Sequence, residues 1–196
     1  MVVRYHEASL TLRDPEYAGL RMNADEYLAL PDDGFKYELI DGVVLMSPAA
    51  SFGHNDVAGT IEYFVRDFLI KSPLGRVVHE TDVRFAGNLV YRPDLSYVSN
   101  ERASIITTII DGSPDLIVEV VSPSNRPLDV RTKRRDYERF GVREYWIIDP
   151  PAKTLTFLRL VNGQYVEIQP EADAFASEAI PGFRLNLAPI RTHFER

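Results

Sequence analysis

Glu119 is the one charged residue in the run Leu116-Ile117-Val118-Glu119-Val120-Val121. Such a run reads as a strand buried on both faces, where a carboxylate without a partner is costly. The side chain needs a metal ion, a cationic side chain or a proton of its own. A structural ion pair, or an edge strand turning Glu119 to water, would satisfy it without any chemistry. Asp94 follows Pro93 at the start of a second predicted strand, Asp94–Val98. Alone, an aspartate there is a strand-end or turn residue. Beside Glu119 it becomes a second carboxylate near a strand end, and two such groups suit one hard cation. Magnesium takes one or two carboxylates and keeps several waters for a phosphate substrate. The 25 positions from Asp94 to Glu119 permit adjacent strands.

Lys133 supplies a third group. At 100° per residue on a predicted helix Asp129–Phe140, residues Val130, Lys133, Tyr137 and Phe140 share a stripe roughly 80° wide, with Asp129 at its margin. Arg131, Arg135, Glu138 and Arg139 take the opposite face. A lysine on an apolar stripe either reaches inward, toward the sheet end that carries Glu119, or snorkels its ammonium to water. An aspartate, a glutamate and an inward lysine together make a phosphodiesterase constellation. The acids hold magnesium, which polarises the phosphate and lowers the pKa of a bound water. The lysine orients or deprotonates that water, or steadies charge developing on the phosphate.

The elements that must position these groups are readable along the chain. Residues 1–22 show no period and read as an arm or extra edge element, followed by a single domain over 23–196. Asn23 caps a short helix, Ala24–Leu30. Asp41-Gly42 joins strands Phe35–Ile40 and Val43–Met46 in a hairpin. Val57, Ile61, Phe64, Val65 and Phe68 give His54–Leu69 helical spacing. One strand is predicted over Arg76–Phe85, and residues 101–110 are ambiguous between helix and strand. The strand Leu116–Val121, the helix Asp129–Phe140 and the strand Glu144–Ile148 form a parallel crossover. Asn162-Gly163 marks a second hairpin, and the Pro-containing tail is loop with short edge pieces. The expected fold is α/β: one mixed sheet flanked by helices, with N- and C-terminal hairpins added.

Composition narrows the function classes. The chain has 196 residues, 45% hydrophobic and 26% charged, which suits one sizeable core and excludes disorder as the main state. Without cysteine there is no disulfide framework, thiolate zinc site or cysteine nucleophile. No apolar run is long enough to span a bilayer, and the N-terminus lacks a signal-peptide core, so a cytoplasmic protein that meets no membrane is expected. A net charge of −7 excludes a wholesale basic surface. Yet Arg126 to Arg143 carries a local +4, enough for one basic element to meet phosphate. Ser47, Ser51 and Ser122 lack a nucleophile elbow, and His6, His79 and His193 are scattered. No glycine-rich phosphate loop appears. Tyr91, Arg92 and Tyr97 either stack on bases or simply pack.

The run Pro93-Asp94 followed by Glu119-Val120-Val121 resembles the PD-(D/E)XK nuclease motif, with Val121 where that motif carries its lysine. Some branches of the superfamily take the lysine from the following helix, and Lys133 fits that relocation. More narrowly, the chain resembles the Uma-two family of restriction-type endonucleases. The matching stretches are Tyr37-Glu38-Leu39-Ile40-Asp41-Gly42, His54, Arg92-Pro93-Asp94, Val118 to Ser124, Lys133 and Gly141 to Asp149. The resemblance spans about residues 23–170. It implies a restriction-endonuclease-like core and magnesium- or manganese-dependent hydrolysis of phosphodiester bonds in nucleic acid, DNA first. Asp94 and Glu119, with the Val120 carbonyl, would be metal ligands and Lys133 would position the attacking water. Glu38 and His54 enter as assisting residues on the resemblance alone. Strand alternation would simply turn Glu38 to solvent, and His54 would otherwise be a helix-start residue. A homodimer is expected by analogy with such nucleases. Two other readings stay open: a non-catalytic binding module of the same fold, and a hydrolase using two carboxylates on sugars without metal.

Overall fold

The computed structural model describes residues 14–123 and 126–195. Asn23 opens α1 (Ala24–Leu28) with a reciprocal capping box: its side chain accepts from the Glu26 N–H, and Glu26 accepts from the Asn23 N–H. β1 (Lys36–Ile40) and β2 (Val43–Ser47) form the expected hairpin. Asp41 (φ 50°) and Gly42 (φ 75°) both take the left-handed conformation that its tight turn requires. Of the arm read over 1–22, residues 1–13 lie outside the described residues. Gly19 to Met22 runs along the hairpin, exchanging backbone hydrogen bonds with Val44 and Gly42. Ser51 caps α2 (Phe52–Lys71), which is two residues longer at each end than its periodicity predicts.

β3 (Gly75–His79), β4 (Val83–Ala86), β5 (Leu89–Tyr91) and β6 (Leu95–Ser99) follow. The single strand predicted over Arg76–Phe85 is therefore two. Glu80 (φ 43°) breaks it, and the halves join different sheets. The ambiguous stretch 101–110 resolves into a 3₁₀ turn, Asn100–Ile105, and a two-residue strand, β7 (Ile110–Asp111). β8 (Leu116–Val120) leads to a π-helical turn, Leu128–Lys133, continuous with α3 (Arg134–Arg139). β9 (Glu144–Asp149) then pairs parallel to β8, closing the crossover. β10 (Thr154–Val161) and β11 (Gln164–Glu167) form the second hairpin across Asn162 and Gly163, both left-handed. The tail gives β12 (Ala174–Ala176), β13 (Arg184–Asn186) and α4 (Ala188–Thr192).

The strands assemble as two mixed sheets, with β12 and β13 paired as a separate antiparallel ribbon, rather than the single sheet expected. One has the order β2-β1-β5-β4-β7, the other β11-β10-β9-β8-β6-β3. The second is the structural centre. On one of its faces Leu116, Val118, Val120, Trp146 and Ile148 pack against Val57, Ile61, Val65 and Leu69 of α2 and against the C-terminal elements. On the other, Ile117, Val121, Tyr145 and Ile147 pack with Tyr137 of α3 and with Tyr91. Glu119 belongs by alternation to this second face, whose buried cluster mixes tyrosines with aliphatic groups.

Candidate active site

The chain crosses from one sheet to the other over Arg92-Pro93-Asp94, between β5 and β6, and the site lies at that junction. β6 runs antiparallel to β8 with Leu95 opposite Val118. Continuing this register by one residue puts Asp94 opposite Glu119, so both carboxylates fall on the same face of the sheet. Asp94 Oδ2 accepts the Val120 N–H at 2.7 Å, which ties the crossover to β8. Its Oδ1 stands 3.0 Å from His54 Nε2 and 3.8 Å from Lys36 Nζ. A carboxylate only accepts, so Nε2 carries the hydrogen. Ser51 caps the first turn of α2 through the His54 N–H, and this fixes the imidazole over Asp94.

Lys133 is buried, and its Nζ lies 2.9 Å from Glu119 Oε1, 3.0 Å from Glu38 Oε1 and 3.4 Å from Asp129 Oδ1. Tyr137 also donates to Glu119 Oε1, at 2.9 Å. The Arg92 N–H donates to Glu38 Oε1 at 3.0 Å, so the inter-sheet crossover orients Glu38 as well as Asp94. The Tyr145 hydroxyl holds the Asp129 carbonyl. Glu38, His54, Asp94, Glu119, Val120 and Lys133 all line one open cavity of about 320 Å³, together with Lys36 and Asp129.

The electrostatics follow from this crowding. Burial, with Asp94, Asp129 and Glu38 nearby, pushes Glu119 up to about 8 against the pull of Lys133. Burial and the neighbouring acids likewise raise Asp129 to about 6. Burial would raise Asp94 too, but the His54 hydrogen bond, the charges of His54 and Lys36 and the Val120 N–H hold it below the usual aspartate range. Burial opposes charge on Lys133, yet Glu119, Glu38 and Asp129 outweigh it and hold its pKa well above the ordinary lysine value. The cavity thus pairs an ionised aspartate with a glutamate that titrates near neutrality and a permanent ammonium.

A family model described as "Uma2: Putative restriction endonuclease" matches residues 24–188. The chain belongs to the Uma2 family. Its fold is also that of a crystal structure from Anabaena variabilis described as "a putative nuclease belonging to DUF820", with a TM-score of 0.76 and 20% identity. The match covers 88% of the Uma2 chain and 99% of that one; at this identity the likeness is one of fold. A complex of DrdV with DNA aligns at a TM-score of only 0.31 and 11% identity, over 70% of this chain and 13% of that one, too little to carry an argument. No curated protein matches.

All five residues singled out in the Uma2 sequence meet in the cavity. Glu38 departs from the alternation argument: it is 2% exposed because the inner side of β1 closes on the sheet junction instead of facing water. Lys36, Asp129 and Tyr137 are site residues that sequence reasoning gave no part. Lys36 stands two residues before Glu38, on the same face of β1, and Asp129 stands four before Lys133, but neither spacing by itself marks a site residue. The π turn that carries Asp129 inward leaves no mark in a 3.6-residue pattern; such turns are frequent at functional sites. As a cation site, the chemistry fits. Glu38, Asp94, Glu119 and Asp129 bring four carboxylates against the ammoniums of Lys36 and Lys133, and both hydrogen bonds from Lys133 and Tyr137 to Glu119 land on Oε1. Among the described residues no three acidic or imidazole groups stand at ligating separation, so a metal here would rely on one or two carboxylates and water, as magnesium does.

Proposed function

We propose that this Uma2 protein is a magnesium- or manganese-dependent endonuclease that hydrolyses phosphodiester bonds in DNA. The observation that carries the reading is the opposition of Asp94 and Glu119 across β6 and β8 beside the buried Lys133 ammonium. Asp94 and Glu119, with the Val120 carbonyl, would hold the metal, which when bound polarises the phosphate and acidifies a water. His54 and Lys36 keep Asp94 ionised and ready for a cation. Lys133 stays protonated, so its part is to orient Glu119 and steady negative charge on the phosphate rather than to remove a proton. Glu119 titrates near 8 before a cation arrives, so a cation that binds there would displace its proton. Glu38 and Asp129 hold the ammonium in place. On the outer side of the helix that supplies Lys133, Arg131, Arg134 and Arg139 are exposed and suit phosphates of a longer substrate. A cytoplasmic location and a dimeric assembly belong to the same proposal; no helix among the described residues is long and apolar enough to cross a membrane.

The test is cleavage of supercoiled plasmid with magnesium or manganese, alongside calorimetric metal titration. Cleavage that is lost with chelator and in Asp94→Asn and Glu119→Gln, with metal binding lost in Asp94→Asn, is the expected result. A competing reading keeps the fold as a non-catalytic binding module. It draws on Val121 in the motif lysine's place and on Lys133 satisfying three carboxylates, which a structural network also requires. Absence of metal binding to the folded protein, with wild-type stability in Asp94→Ala, would decide for that module.

A further inference from the structure

The inner stripe of α2 is spent on the core, but its outer stripe carries exposed apolar and aromatic side chains among its charged ones. Phe52 is 83% exposed, Tyr63 65% and Ile70 81%. At 100° per residue these three fall with Asp56, Gly59 and Arg66 on a stripe about 80° wide, opposite Val57, Ile61, Val65 and Leu69. A glycine in the middle of a 20-residue helix is unfavourable by itself. A Cβ added at Gly59 would meet nothing within 4 Å, so no neighbour inside the chain demands glycine there.

The order of residues along the stripe is self-complementary. An antiparallel two-fold axis level with Ile61, midway between Phe52 and Ile70, sets each residue against a suitable one. Phe52 meets Ile70 of the partner subunit, and Tyr63 meets Gly59 of the partner subunit, where the missing side chain leaves room for the ring. Arg66 meets Asp56 of the partner subunit. Asp56 already takes His193 Nδ1 at 3.0 Å and Arg66 takes Glu62 at 2.7 Å, so the new pair would join two existing ones into a network. The six aromatic and aliphatic side chains supply on the order of 900 Å², at roughly 150 Å² each. The polar flanks bring this to about the 1,000 Å² that a specific interface needs.

We propose that α2 pairs with α2 of a second copy in an isologous, antiparallel dimer through Phe52, Gly59, Tyr63 and Ile70. The inference uses none of the cavity chemistry, and its test is separate from that of the nuclease reading. In the pairing, the two His54 residues, each bonded to Asp94 of its own cavity, stand about 20 Å apart along the helix axis.

Sedimentation equilibrium of the full chain from 1 to 200 µM measures the mass. A dimer, twice 22.3 kDa, forming in this range is expected, with nothing larger because an isologous contact closes at two. Gly59→Leu and Tyr63→Glu are each expected to weaken association at least tenfold. Gly59→Leu keeps or raises the thermal midpoint of the monomer, which separates a lost contact from a lost fold. Arg66→Asp weakens association too, and adding Asp56→Arg in the same chain restores it. A monomer throughout the range, a dimer indifferent to Gly59→Leu and Tyr63→Glu, or open-ended assembly would each overturn the proposal. DNA cleavage by a strictly monomeric protein would do so while leaving the catalytic reading intact.

Discussion

Replacing Glu119 by glutamine isolates the cost of burying a carboxylate among other acids. Glu119 titrates at about 8 in the folded protein against 4.5 for an unhindered glutamate. The folded state therefore holds its proton more tightly than the unfolded state. The associated stability is complete below pH 4.5 and is lost as pH rises through about 8. At 1.36 kcal/mol per unit, the whole span is worth roughly 5 kcal/mol. Between pH 6.5 and 9 Asp129, raised only to about 6, is mostly ionised and adds only a few tenths of a kcal/mol, and Asp94, held low, is ionised throughout. Within this window Glu119 is the main titrating group of the three acids, and about 2 kcal/mol of stability should go with it. Urea denaturation followed through Trp146, the single tryptophan and fully buried, measures this directly. The wild type should lose about 2 kcal/mol more than Glu119→Gln across the window. Millimolar magnesium should flatten the wild-type curve, since a cation favours the ionised form. Parallel curves for the two proteins would refute the argument that burial and crowding control this group.

Lys133→Met strands the carboxylates of Glu38, Glu119 and Asp129 and should cost about 3–5 kcal/mol in denaturant unfolding at pH 9, where Glu119 too is ionised in the wild type; adding Glu119→Gln should recover part of it, as a double-mutant cycle will show. Tyr137→Phe removes a donor from Glu119 Oε1, which should cost about 1 kcal/mol and move the Glu119 transition to higher pH in the same titration. His54→Ala removes the hydrogen bond that holds Asp94 low, so the acidic limb of a pH–rate profile should shift upward while circular dichroism stays unchanged. Ser51→Ala uncaps α2 and should cost about 1 kcal/mol, or about 2–4 °C in a thermal scan.

The parts of the fold that the sequence announced are those fixed by local rules. Asp41-Gly42 and Asn162-Gly163 mark hairpin turns, Asn23 supplies an N-cap, and the β8 run has a composition that suits a buried strand. The division into two sheets was not legible. Val77 and Val83 look alike in sequence, and only the turn at Glu80 and the pairing of β4 with β5 and β7 send them to different sheets. The site followed the same division. Glu119 and Lys133 were visible because each breaks an apolar pattern, and Asp94 because it could stand beside Glu119 at a strand end. Glu38 lies in a strand whose alternation gives no hint of which face meets the other sheet. Asp129 depends on a π turn, and Lys36 on β1 lying against the Asp94 crossover, neither of which has a sequence signature.

β8 and β9 present Val118 and Trp146 to the α2 side and Glu119, Tyr145 and Ile147 to the other. Neighbouring letters of the sequence thus answer to different pressures: Val118 and Val120 are constrained by volume, Glu119 between them by the company of charged groups. Drift in the aliphatic layer under α2 can proceed by compensated exchanges of shape while the carboxylate-lined cavity stays untouched. Exchanges around the cavity can equally arise without renegotiating the core that keeps the protein folded.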